Sequence, residues 1–300
     1  MPSQILVRYG ELALKSPPVR REFESLLRRN ILDQFVREGL TGRLRADHGH
    51  LYVEVDDGDR ALKVLRRVFG ITSVSLVYEV PSERGAIRVR LLELADPRLP
   101  EGSSFAVRAR RTGGTHPFTS QELARDLGGD VLERWADRHL RVDLEHPAVE
   151  LFVEVRGPRT YLSFDRVRGP GGLPLGVAGK LVALVEGPRG ALGAYLMMKR
   201  GCRVAIVAVP AGEELARGVL GRFDPAARIT TAPSDPAEWA RTMASLSEES
   251  HAEGVVLPLG VDEYPAAREQ WGERVLFSPT VGLTDTEVAT RWKNAVSLID

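Results

Sequence analysis

Hydrophobic and polar positions fall into three stretches with different rhythms. In the first, residues 4–9 read as a short strand. Ser16-Pro17-Pro18 marks a helix start, because serine caps and proline is tolerated at the first helical position. Val19, Phe23, Leu27, Ile31 and Phe35 then recur at helical spacing, and Gly39 closes the helix. Short strands are predicted at 43–45 and 50–55 around the polar stretch 47–49, with a turn at Asp56-Asp57-Gly58. An amphipathic helix over 59–69 and a strand over 73–80 complete the order βαββαβ, the ferredoxin-like pattern, placed at residues 1–79.

The second stretch, 80–168, opens with a helix over 84–95 and a strand over 104–111. Arg108 and Arg110 share one face of that strand. A Gly-Gly loop containing His116 and Phe118 leads to a helix capped by Thr119 or Ser120, with Glu122 placed for a capping box. Segments 141–144, 149–155 and 159–164 are β-rich. Residues 169–179 read as a glycine- and proline-rich linker. From 180 to 300 the rhythm changes again. Apolar strands at 181–185, 203–209, 228–231, 254–258 and 275–277 alternate with helical stretches, the signature of a doubly wound parallel sheet. The fold class is thus α/β: a ferredoxin-like domain, a second α+β unit, then a Rossmann-like domain.

Charge adds a modest signal. The chain has 41 basic and 41 acidic residues, and only five of the basic ones are lysine. Residues 1–176 carry a net +3 and residues 177–300 a net −3, which puts the positive excess on the first two stretches. No run of about 18 apolar residues occurs, so no membrane partner is expected. The amino terminus lacks a signal-peptide layout, and the expected compartment is the cytoplasm. The single Cys202 excludes an internal disulfide, and it reads as a buried small hydrophobe. The six histidines show no metal spacing, so no metal is expected.

Two clusters carry candidate chemistry. Arg108, Arg110, Arg111, His116 and Phe118 suit RNA, arginine holding phosphate and an aromatic ring stacking a base. A solvated strand face with a core phenylalanine fits the same residues. Lys15, Arg20 and Arg21 form a second basic group at the first long helix. The stretch Leu184, Val185, Glu186, Gly187, Pro188, Arg189, Gly190 lies where a parallel domain would hold phosphate. Its glycines and Arg189 suit an anion, whereas Pro188 removes a donor and Glu186 adds a negative charge. An ordinary strand-to-helix turn explains the loop as well.

The motif Ile5-Leu-Val-Arg-Tyr-Gly-Glu11, followed by Arg20-Arg21, Phe23 and Asn30-Ile31, resembles the start of tRNA 4-thiouridine synthetases, the ThiI-type tRNA sulfurtransferases. The resemblance continues through Phe69-Gly70-Ile71, the segment 104–111, Gly128-Gly129 and the stretch 143–164, which is similar to a THUMP domain. The linker Gly171-Gly172-Leu-Pro-Leu-Gly176 with Gly179-Lys180, and the stretch 195–201, are similar to the entry of that family's PP-loop domain. The resemblance implies tRNA, through its acceptor arm, as partner, and a homodimer. The family's Ser-Gly-Gly-x-Asp-Ser loop corresponds here to Glu186-Gly187-Pro188-Arg189-Gly190-Ala191, with the aspartate and both serines replaced. No glutamine stands at the family's later nucleotide motif near 256–264, and Cys202 matches no catalytic cysteine. The expectation is a tRNA-binding protein with an eroded ATP site and no catalytic residues of its own. ATP and Mg²⁺ enter only if the altered loop still binds them. Two alternatives stay open: an active ATP-dependent sulfurtransferase served by a sulfur-carrier protein, and a non-catalytic regulatory partner of a true synthetase.

Overall fold

The computed structural model describes residues 3–10, 16–47 and 50–299. The expected βαββαβ order is present as β1 (Ser3–Tyr9), α1 (Pro17–Arg37), β2 (Gly42–Asp47), β3 (His50–Val55), α2 (Gly58–Leu65) and β4 (Ile71–Pro81). The strands lie side by side in the order β2-β3-β1-β4. Pro17 opens α1, but the Ser16 side chain makes no capping bond; it is the Ser16 carbonyl that accepts from Arg20 N–H at 2.8 Å. Asp57 does cap α2, accepting from the Arg60 amide at 3.0 Å.

The following unit consists of α3 (Arg84–Ala95), β5 (Ser104–Thr112), α4 (Ser120–Arg134), β6 (Arg141–Val142), β7 (Val149–Arg156) and β8 (Arg159–Ser163). Its strands run β4-β8-β7-β5-β6, with β5 parallel to β7 and β7 antiparallel to β8. Ile87, Leu91 and Ala95 of α3 and Leu123, Leu127 and Val131 of α4 pack against Phe105, Val107, Leu151 and Val153 of the sheet. The Thr119 hydroxyl and the Glu122 carboxylate satisfy each other's amides, completing the capping box at α4.

The last stretch is a parallel sheet of β10 (Lys180–Val185), β11 (Arg203–Ala208), β12 (Ile229–Thr231), β13 (Gly254–Val256) and β14 (Val275–Phe277). β9 (Val167–Arg168) precedes it and pairs with β4. The strand order β12-β11-β10-β13-β14 reverses direction between β10 and β13. Helices cover both faces, which is why the central strands are continuous apolar runs. α5 (Pro188–Lys199), the short α6 (Gly221–Phe223) and α9 (Asp285–Val296) lie on one face; α7 (Pro236–Ser250) and α8 (Tyr264–Trp271) lie on the other. Among the described residues no helix is long and apolar enough to cross a membrane.

By contacts the chain forms two compact units. One gathers Ser75–Val167 with the start of the chain up to Leu6, and the other gathers Val7–Val74 with the chain from Arg168 onward. Within the second unit, α1 lies on the parallel-sheet domain through buried polar side chains. Asn30 Nδ2 donates to the Leu175 carbonyl at 3.1 Å. Gln34 Nε2 donates to the carbonyls of Arg222 and Phe223 at 2.9 and 3.0 Å. Arg203 joins both sides, donating to Asp224 at 2.8 Å and to Asn30 Oδ1 at 3.1 Å. Burial pushes the Asp224 carboxyl up, and the Arg203 guanidinium opposes that shift. Phe69, Tyr195 and Phe223 close the same seam with ring centroids 5.2–5.4 Å apart.

The segment read as a linker is stitched to both sides. Gly70 N–H donates to the Gly171 carbonyl at 2.9 Å, and Leu173 N–H to the Lys199 carbonyl at 3.0 Å. Gly172 has a φ of +73°, and a Cβ there would lie 2.1 Å from the Lys199 carbonyl oxygen, so only glycine fits.

Removing the guanidinium in Arg203→Ala strands the Asp224 carboxyl, whose side chain is 3% exposed. A loss of about 3 kcal/mol is expected, at the low end for breaking a buried pair. Urea unfolding reads it as a lower midpoint, and an Asn30→Ala second mutation adds less than its own single effect because the two share a bond.

Candidate functional site

The expected RNA-facing residues of β5 divide by strand face. Arg108 Nε donates to Glu150 at 2.9 Å, and its Nη2 to the Leu144 carbonyl at 2.7 Å. Arg110 lies two residues on, exposed, with no charge partner among the described residues. Arg111 ends the strand and clasps the following loop, donating to the carbonyls of Phe118 at 2.6 Å and His116 at 3.4 Å. Gly113 and Gly114 both have left-handed φ values, 70° and 74°, which gives the loop its reversal. Phe118 is 3% exposed within the helix–sheet core. It is therefore an anchor for the loop and not an open stacking platform, a correction to the expectation. His116 stacks on it at 5.5 Å, and Arg84 lies over the ring at 5.6 Å.

The second basic group lies on α1, in the other compact unit. Arg21 is exposed and has no charge partner among the described residues. Arg20 is half-buried and acts on Tyr9, whose hydroxyl donates to Glu24 at 2.5 Å. Burial pushes the Tyr9 hydroxyl well above its ordinary range, Glu24 adds to the shift, and the Arg20 charge opposes it. Lys15 lies outside the described residues.

The loop between β10 and α5 is packed closely against β10 and the 280–285 loop. Leu184 and Val185 are buried in β10, and the Val185 carbonyl already accepts from the Val209 amide at 3.1 Å. Gly187 has an extended φ of 176°, open to any residue. Pro188 at the first helical position has no N–H to offer. Arg189 turns away from the loop, donating to the carbonyls of Thr280 at 3.0 Å and Leu283 at 2.9 Å and pairing with Asp285 at 2.8 Å. A Cβ on Gly190 would lie 2.4 Å from the Leu184 carbonyl oxygen and 2.5 Å from Glu186 Oε2. The Glu186 carboxyl therefore sits against the first turn of α5, where Oε2 is buried without a hydrogen-bond donor. Burial pushes this carboxyl up to about 7, with its own backbone amide and Arg189 opposing the shift and Glu263 adding to it.

Topology supplies a feature that the sequence alone did not mark. At the carboxyl ends of β10 and β13, a cleft of about 400 Å³ has Glu186, Glu263, Trp239, Met243, Leu257 and Trp271 among its walls. These residues are far apart in sequence and meet only because the strand order reverses there. Cys202 lies elsewhere, buried, its Sγ 3.3 Å from the Ala178 carbonyl oxygen, and burial pushes its thiol up. Among the described residues no three His, Cys, Asp or Glu side chains gather to hold a metal.

Comparison with known proteins adds an independent line. The ThiI ferredoxin-like domain family matches residues 4–75, and the THUMP domain family matches residues 86–165. Curated relatives named "Probable tRNA sulfurtransferase" include one from Methanocaldococcus jannaschii, 35% identical over 219 residues, covering 70% of this chain and 57% of the relative. Another, from Methanothermobacter thermautotrophicus, is 40% identical over 209 residues, covering 68% of this chain and 51% of the relative. The chain thus spans about half the length of the curated relatives it matches. Among solved structures, PH1313 from Pyrococcus horikoshii Ot3 superposes with a TM-score of 0.81 at 26% identity, covering 97% of this chain and 99% of that one. A 4-thiouridine synthetase solved with RNA and bound ATP has the same fold, with a TM-score of 0.79 at 22% identity over 99% of this chain and 86% of that one. By its two matched domains and its curated relatives, the chain belongs to the ThiI-type tRNA sulfurtransferase family, whose ferredoxin-like and THUMP domains it carries.

Proposed function

We propose that this chain is a tRNA-binding protein that grips the acceptor arm through segments 1–79 and 80–168, joined by 169–179 to a 180–300 domain without ATP chemistry. The observation that carries the second half is Glu186. A helix start binds phosphate through free N–H groups and a positive end. Here a carboxyl occupies that end, Pro188 offers no donor, Arg189 is engaged by the 280–285 loop, and Gly190 has no room for the family's aspartate side chain. Each change weakens phosphate binding, and together they leave no group to organise a metal-bound pyrophosphate.

The first half is supported by the THUMP match and by the arrangement of arginines. Arg108 and Arg111 fix the strand and the loop, while Arg110 and Arg21 present open guanidinium groups for backbone phosphate. RNA recognition in this reading is electrostatic and positional, with Phe118 holding the loop from within.

Electrophoretic shift of tRNA tests the RNA contact. Arg110→Glu and Arg21→Glu are each expected to weaken binding about tenfold and to lower the salt slope by about one. Unchanged shifts in both would remove the assignment. Calorimetric titration of ATP and AMP into protein that still shifts tRNA is expected to give no heat. Saturable heat, followed by 4-thiouridine formation with a sulfur donor, would establish the active sulfurtransferase instead.

Glu186 also predicts a pH dependence. Its folded pKa of about 7 lies above the ordinary 4.5, so the unfolded chain releases this proton first as pH rises. Stability is lost progressively from about 4.5 to about 7 and then levels off. Glu186→Gln lacks this loss. Its unfolding free energy from urea titration is expected to match the wild type near pH 4 and to exceed it by roughly 2 kcal/mol above pH 7.5, after discounting for partial exposure.

A further inference from the structure

We propose that the cleft at the carboxyl ends of β10 and β13 binds a small organic cation, an amine or amidine on an aromatic body, in place of a nucleotide. A reversal of strand order leaves a crevice between diverging strand ends, and about 400 Å³ is enough for a compact ligand. Leu257 and Met243 give it apolar walls, and Trp239 and Trp271 bring indole rings from α7 and α8. Trp239 is fixed in place by its Nε1, which donates to the Pro233 carbonyl at 2.9 Å. With its N–H engaged, Trp239 has no donor to offer an anion, and an aromatic ring favours a cation as partner.

The charged groups of the cleft are carboxyls. Glu186 lines the cleft, and its Oε2, packed against Gly190, is buried with no donor, so its negative charge is left without a local partner. Glu263 accepts one bond, from the Gly260 amide at 2.7 Å, and keeps further acceptor capacity. Arg189, the cation that acts on Glu186, is engaged by Thr280, Leu283 and Asp285. An amidinium or ammonium group in the cleft is attracted by both carboxyls, while its ring fills the apolar space lined by Leu257, Met243 and the two tryptophans. A phosphate ester meets two acids. The inference rests on the reading of the β10–α5 loop as closed to nucleotides.

Calorimetric titration of benzamidine into the full chain tests this, with benzyl alcohol as the uncharged control and AMP as the anionic one. The expected result is one saturable site for benzamidine, at least about tenfold weaker binding of benzyl alcohol, and silence from AMP. Glu186→Gln and Trp239→Ala are each expected to weaken benzamidine about tenfold in protein that still shifts tRNA. No saturable benzamidine heat alongside AMP silence overturns this proposal alone. Benzamidine binding that neither substitution alters, or equal affinity for benzyl alcohol, also overturns it. AMP heat that competes with benzamidine overturns both this proposal and the closed-loop reading.

Discussion

Arg203 holds the second compact unit in register. One guanidinium reaches Asp224 within its own domain and Asn30 on α1. Gln34 adds two carbonyl contacts one turn further along the helix. Polar bonds at a buried seam have strict geometry, so they fix orientation where an apolar contact alone would allow sliding. The aromatic group Phe69, Tyr195 and Phe223 supplies the area, and the polar set supplies the angle. The glycine-rich segment between the two parts conforms to that angle, accepting from Gly70 on one side and donating to Lys199 on the other.

The same tightness governs the loop after β10. Helix α5 approaches the strand so closely that position 190 admits no side chain, and the carboxyl of Glu186 takes the adjacent space. Glycine at 190 and glutamate at 186 are one coupled solution. An aspartate placed at 190 alone would meet both the Leu184 carbonyl and the Glu186 carboxyl. A side chain at 190 would therefore require the α5 backbone and the Glu186 carboxyl to move together.

Much of this was legible in the chain. The βαββαβ order, the strand at 275–277, the Thr119 capping box and the buried character of Cys202 follow from periodicity, cap chemistry and hydrophobicity, which act over a few residues. Other features were hidden for identifiable reasons. Asn30 and Gln34 fall on the same helix face as Leu27 and Ile31, but polar side chains read as solvent-facing until their carbonyl partners, more than a hundred residues away, are known. Phe118 reads equally well as a stacking ring or a core ring, and only the position of Arg84 and the helix–sheet core decides it. Trp239 and Trp271 gave no local signal because strand order alone brings them to Glu186.

The stitched glycine segment bears on how such a domain persists. Were the 180–300 region deleted, Asn30 would lose its Arg203 donor, Gln34 its acceptors, Phe69 its aromatic neighbours, and α1 a buried face. Whatever chemistry the domain performs, its loss would cost the chain the footing of its first helix.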